Sequence, residues 1–324
     1  MMAAILPVLL AVLATMVHAA LLFALAPGLM GVVSKMRAWA LGRRGAPVVQ
    51  PYRQLYKLLR KTTLIPETAT DAYPYWPLAC FLSVSVAGLL IPSFVTGMVT
   101  APLSDFITLI GLFALARAAT MLGGLETGFS FGGAGAQREA LFGVFAEGAL
   151  LVTILTFALI AHATTVDGIA VAFRDGHIGI SVSLAFALAA TLAVALTETG
   201  RIPTDNPAGH LELAMVHEAM LLEYSGRYLL LFEYAAMLRL MVWMSLIGAV
   251  FLPFWMGRAG DVLSWPLGLA LWVGKLGGMA VILPLFEISS AKMRVFRVPE
   301  FLGVAMLLGA LAAVFLFVAE RIGS

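Results

Sequence analysis

Apolar residues gather along this chain in long blocks parted by short polar stretches. Blocks long enough to cross a bilayer as helices lie at roughly 3–30, 75–98, 104–123, 139–163, 178–198, 226–252, 265–287 and 300–319. Hydrocarbon offers the backbone no water partner, so each block must close its own hydrogen bonds, and a helix does this within one segment. The pattern predicts an all-α polytopic membrane protein of about eight transmembrane helices, with 1–324 as a single domain. Ala24-Leu25-Ala26 resembles a signal cleavage site. No positive charge precedes the first block, however, and its apolar stretch exceeds a signal core, so it reads as a retained helix. Between the first two blocks, Gln50–Lys61 has a different pattern: apolar positions 52, 55, 56, 58 and 59 face away from most of the bases. That predicts an amphipathic interfacial helix in the first cytoplasmic loop, either a lipid-headgroup anchor or a docking surface for a partner.

Composition strengthens the membrane reading. The chain is 61% hydrophobic and 12% charged, with mean hydropathy +0.99, whereas soluble domains are about half apolar and about a quarter charged. A single cysteine, Cys80, excludes a disulfide framework, a Cys-rich iron–sulfur site and a structural zinc within this chain. No cofactor is expected in it, and no nucleic acid as a partner.

Charge placement sets the expected orientation. With the N-terminus outside, inner segments carry Lys35, Arg37, Arg43, Arg44, Arg53, Lys57, Arg60, Lys61, Arg138, Arg201, Arg227, Lys292, Arg294 and Arg297. Outer segments then hold only Arg174, Arg258 and Arg321, while Arg117, Arg239 and Lys275 fall within spans. The positive-inside rule predicts both termini outside and the long loops in the cytoplasm. Arg43, Arg44, Arg53 and Lys57 are candidates for partner docking.

Ionisable groups inside a membrane are costly and mark function or pairing. Glu147 lies in the fourth block, Glu198 closes the fifth, and Glu212, His217, Glu218, Glu223 and Glu233 follow closely. If 212–227 is helical, Glu212 and Glu223 share a face and Glu223 with Arg227 forms an i,i+4 pair. Carboxylates strung through a low dielectric suit a proton relay, while ion pairing that merely holds helices together is the plainer reading. So many acids between 198 and 233, together with Glu147, favour transfer or conformational coupling. Lys275 and Arg117 each need a carboxylate or a water-filled cavity. His217-Glu218 lacks the second histidine of a zinc-protease motif, since position 221 is leucine. Phe131–Gly135 is glycine-rich without a phosphate-loop lysine and reads as a flexible inner turn. Trp76, Trp255 and Trp265 fall where interfacial indoles sit.

Glu198-Thr199-Gly200-Arg201-Ile202-Pro203-Thr204-Asp205 resembles the Glu-Thr-Asn-Arg-x-Pro-Phe-Asp signature of the subunit-1 (H subunit) family of respiratory complex I. Arg138 with Glu147, Glu223-Tyr224-Ser225-Gly226, Glu233-Tyr234, and Gly42-Arg43-Arg44-Gly45 followed by Gln50-Pro51 are also similar to that family. Departures at Gly200, Thr204 and Gly209-His210, and the longer spacing from Glu212 to Glu223, set the chain apart from quinone-reducing members. Met215–Met220 and Phe296–Leu302 look instead like the membrane subunit of group 4 NiFe hydrogenases, the formate-hydrogenlyase and hydrogenase-4 type.

The resemblance implies a membrane anchor and ion-translocation coupling subunit in the cytoplasmic (inner) membrane of a prokaryote. Hydrogenase-like large and small subunits and iron–sulfur subunits would form its cytoplasmic arm, with antiporter-like subunits beside it in the bilayer. NiFe and iron–sulfur clusters would belong to those partners. Carried over by position, Glu147, Glu198, Glu212, Glu218, Glu223, Glu233, Arg138, Arg201 and Lys275 are the expected proton-transfer or coupling residues. Two other functions stay open here: a quinone-reducing H-type subunit of complex I and, from another class, an autonomous secondary transporter. The latter needs paired broken helices in symmetric halves, and no such pairing is found.

Overall fold

The computed structural model describes residues 2–174, 181–201, 216–290, 293 and 297–323. Within them the chain is helical almost throughout: α1 (Met2–Ala40), α2 (Gln50–Arg60), α3 (Tyr75–Leu90), α4 (Phe106–Glu126), α5 (Ser130–Ala161), α6 (Val166–Arg174), α7 (Val182–Glu198), α8 (His217–Leu221), α9 (Gly226–Val250), α10 (Trp265–Ser289) and α11 (Val298–Gly323). Each of the eight apolar blocks overlaps one of these helices; the second block runs on past α3 to Val95–Thr96, and the first residues of the fifth lie outside the described residues. Six of the helices, α1, α4, α5, α9, α10 and α11, are long and apolar enough to cross a membrane, while α3 and α7 are shorter apolar helices.

Local chemistry accounts for the helix ends. Gly42, at φ 70°, terminates α1. The Gly42 N–H donates to the Trp39 carbonyl and the Arg43 N–H to the Ala38 carbonyl, a left-handed glycine cap that places Arg43 and Arg44 just beyond the helix. Asp105 caps α4 by accepting from the Ile107 N–H, and Ser181 caps α7 by accepting from the Leu184 N–H.

Helix α9 is the centre of the bundle, and every residue from Met237 to Val250 is buried. Helix α3 packs on α4 and α9, α4 on α5, α1 on α9 and α10, and α11 on α5 and α7. Two expectations are corrected. Phe131–Gly135 is not a turn but the first part of α5, which begins at Ser130. A side chain at Gly132 would strike the Gly124 carbonyl, and one at Gly135 would sit 2.9 Å from the Val216 carbonyl, so the glycines serve close helix approach. Glu223 and Arg227 form no i,i+4 pair, because Ser225, extended at φ −137° and ψ 164°, breaks the chain between α8 and α9.

The face holding the α1 C-terminus, α2 and the α9 N-terminus carries Arg43, Arg44, Arg53 and Lys57, all exposed; it is the basic face. There Ser225 Oγ accepts from the Leu64 N–H and donates to the Leu64 carbonyl. Tyr73 stacks on Tyr224 at 4.4 Å and donates to the Glu223 carbonyl. Burial, with Glu223 nearby, pushes the Tyr73 phenol up to about 12. On the opposite face, Val95–Thr96 and Gly257–Arg258 pair as a short parallel ladder. Asp167 accepts from the Gly97 N–H, and Arg174 donates to Thr96 Oγ1. Burial raises the Asp167 carboxyl, partly offset by the Gly97 bond and by Arg174. These contacts knit the loops of that face together.

Candidate functional site

Arg117 stands midway along α4, and its side chain is only 5% exposed. An isolated guanidinium there would be prohibitively costly; this one meets three carboxylates. Its Nε lies 3.4 Å from Glu139 Oε1, one Nη is 2.7 Å from Glu147 Oε1, and the other contacts Glu198 Oε1 directly. The sequence explains the two α5 partners. Glu139, Gly143 and Glu147 are spaced i, i+4, i+8 and share one helix face, and a Cβ on Gly143 would lie 2.9 Å from Arg117 Cδ. The guanidinium therefore lies against the glycine with an acid on either side. Glu198 arrives from the C-terminus of α7. That helix has 17 residues, so at 1.5 Å per residue it spans roughly 25 Å, short of a hydrocarbon core of about 30 Å.

Below this array, a cavity of about 270 Å³ lies between α1, α7, α8, α9 and α10, lined by Arg37, Glu198, Arg201, His217, Glu218, Glu233, Arg239 and Glu287 among others. Arg201 and Arg37 converge on Glu287, at 3.3 Å and 3.6 Å. His217 Nε2 lies 3.7 Å from Glu139 Oε1, which joins α8 to the Arg117 array. Glu198 belongs to both cavity and array. Acids that could carry a proton thus run from the cavity beside the last turn of α1 to the middle of α4 and α5, with cations placed to compensate them.

Of the residues expected from sequence, the structure brings Glu147, Glu198, Glu218, Glu233 and Arg201 into this continuous system. Glu223 lies on the turn before α9, outside the cavity, and Arg138 is half-buried beside Glu139 on α5. Lys275 stands apart, donating to the carbonyl oxygens of Leu252 and Phe254 just past the end of α9. Glu212 lies outside the described residues. Sequence reasoning missed Glu139 and Glu287, and left Arg37, Arg117 and Arg239 without roles. The Glu139–Gly143–Glu147 spacing was a usable signal; nothing local pointed to Glu287. Among the described residues no group of three His, Cys, Asp or Glu side chains could hold a metal ion.

Comparison with known proteins places this architecture. The chain is 31% identical to formate hydrogenlyase subunit 4 of Escherichia coli (strain K12) over 292 residues, covering 89% of this chain and 93% of that one. It is 34% identical to hydrogenase-4 component C of the same organism over 251 residues, 78% of each chain. Its fold is similar to a chain of the membrane-bound sulfane sulfur reductase, an archaeal respiratory membrane complex, with TM-score 0.76, 18% identity, and coverage of 93% of this chain and 98% of that one. Since the family model described as NADH dehydrogenase matches residues 11–318, the chain belongs to that family, the NADH dehydrogenase subunit 1 type.

Proposed function

We propose that this multi-pass membrane protein is the anchor and ion-translocation coupling subunit of a hydrogenase complex of the formate-hydrogenlyase type. One observation carries the reading: a buried array in which Arg117 binds three carboxylates, continuous with an acid-lined cavity beside the last turn of α1. A proton taken up at Glu218 or Glu233 passes through water to Glu198, and from there to the α5 acids at Arg117. Arg201 holds its end of the cavity in place through Glu287. Glu223 enters the scheme through the turn that joins α8 to α9, which Tyr73 and Ser225 tie to the first loop of the basic face.

The neighbours follow from the exposed surfaces. Glu147 is the exposed member of the array at 38%, and it lies on a membrane-level face with Val144, Leu151 and Leu155, all exposed. A carboxylate in such an apolar stripe calls for a membrane partner that supplies a polar group; an antiporter-like subunit fits. The basic face would meet a cytoplasmic arm of large, small and iron–sulfur subunits, which would hold the NiFe and iron–sulfur centres.

Glu147→Gln tests the coupling. It keeps the shape and removes the titrating proton, and Arg117 retains two carboxylates. The complex is expected to assemble while membrane-potential formation is lost; normal proton movement in assembled complex would sink the relay. Orientation is tested separately. A reporter that works only in the periplasm, fused after Ser324, is expected to be active, and activity of a cytoplasm-only reporter there would reverse the proposed topology.

A further inference from the structure

Arg239 is the anomaly of the site. It is 7% exposed and lies 13 residues into α9, yet among the described residues no carboxylate comes within ion-pair distance of it. One Nη donates to the Glu198 carbonyl at 3.4 Å, the other lies 3.8 Å from Cys80 Sγ, and Nε has no hydrogen-bond partner. A carbonyl and a thiol are poor compensation for a buried cation. Arg117, within electrostatic reach of it, has three acids. The two guanidinia flank one residue: Glu198 gives its side chain to Arg117 and its backbone carbonyl to Arg239. Glu198 is the last residue of α7 and lines the same cavity as Arg239, which leaves open volume beside its side chain on that side.

We propose that Arg239 is a second docking position for the Glu198 carboxylate, which alternates between Arg117 and Arg239 and thereby connects and disconnects the cavity from the α5 acids. Rotation toward Arg239 leaves Arg117 with Glu139 and Glu147, still neutralised, and gives Arg239 its first carboxylate. Both positions are compensated, which is what a two-state element requires. Arg239 acts here as a positioning residue. The inference rests on the coupling reading above and assigns its gate.

The test uses the assembled complex in sealed vesicles, with protons moved per electron as the readout. In Arg239→Met the ratio is expected to fall about tenfold, while Arg239→Lys, which keeps a point charge, recovers at least about half. Redox-induced infrared difference spectra should show carboxylate bands that vanish in Glu198→Gln, are absent in Arg239→Met and return in Arg239→Lys. A wild-type ratio in Arg239→Met overturns the proposal. So does failure of assembly in both Arg239→Met and Arg239→Gln, which would make the arginine a structural cation. Normal proton movement in Glu198→Gln would instead refute the coupling reading itself, whatever Arg239 does.

Discussion

Arg117→Met is expected to abolish assembly of the complex, a heavier effect than removing any one of the acids that Arg117 binds. The asymmetry follows from counting partners. One guanidinium serves Glu139, Glu147 and Glu198, two of which are about 5% exposed or less. Neutralising one acid leaves the cation compensated by the other two. Neutralising the cation leaves Glu139 and Glu147 facing each other without a guanidinium, and Arg239, which lies beside Glu198, is placed to serve that one acid alone. Breaking a buried pair by deleting one partner costs about 3–5 kcal/mol, and a loss of even about 1–2 kcal/mol changes abundance several-fold. Methionine preserves much of the volume, so packing is not the cause. The yield of intact complex from membranes should fall below roughly a tenth of wild type for Arg117→Met and stay above roughly half for Glu139→Gln, Glu147→Gln or Glu198→Gln. Equal yields across the four variants would mean that the array is not held by Arg117.

Reversing both Arg43 and Arg44 to Glu is expected to detach the proposed cytoplasmic arm while leaving the membrane subunit folded. Both residues follow the glycine cap of α1, where Arg43 contributes its backbone N–H to the turn and both side chains are exposed. Helix termination therefore does not depend on either side chain. The change converts two cations into two anions on a surface that also displays Arg53 and Lys57. Charges at the rim of an interface steer and hold partners, and like charges placed against a complementary surface repel them. Screening over about 8 Å at physiological salt weakens this without removing it. Co-purification of the arm should be lost at physiological salt in the double variant and should become salt-sensitive in either single variant. Full retention of the arm would leave lipid headgroups as the ligand of these bases.

Part of this arrangement was legible in the sequence. The eight apolar blocks were, because lipid solvent imposes length and composition on every span independently of its neighbours. Glu198 was correctly placed at the end of α7, where the apolar run stops. The period of Gln50–Lys61 showed α2. The start of α5 was not legible: glycines over 131–135 look like a flexible turn until Gly124 and Val216 are seen to need their missing side chains. That earlier start makes Glu139 part of a membrane helix rather than its edge.

Local composition and spacing set which segments are apolar enough to enter the membrane, where the bases cluster, and that acids crowd the stretch from 198 to 233. Which charges compensate which is set by the packing of distant helices. Arg117 meets Glu198 across 81 positions of chain, Arg201 meets Glu287 across 86, and Arg239 meets a carbonyl instead of a carboxylate. Residue type states that a buried charge needs a partner; the packing of α4, α5, α7 and α9 selects it, because Coulomb attraction in a low dielectric depends on distances that helix crossing sets and local sequence does not.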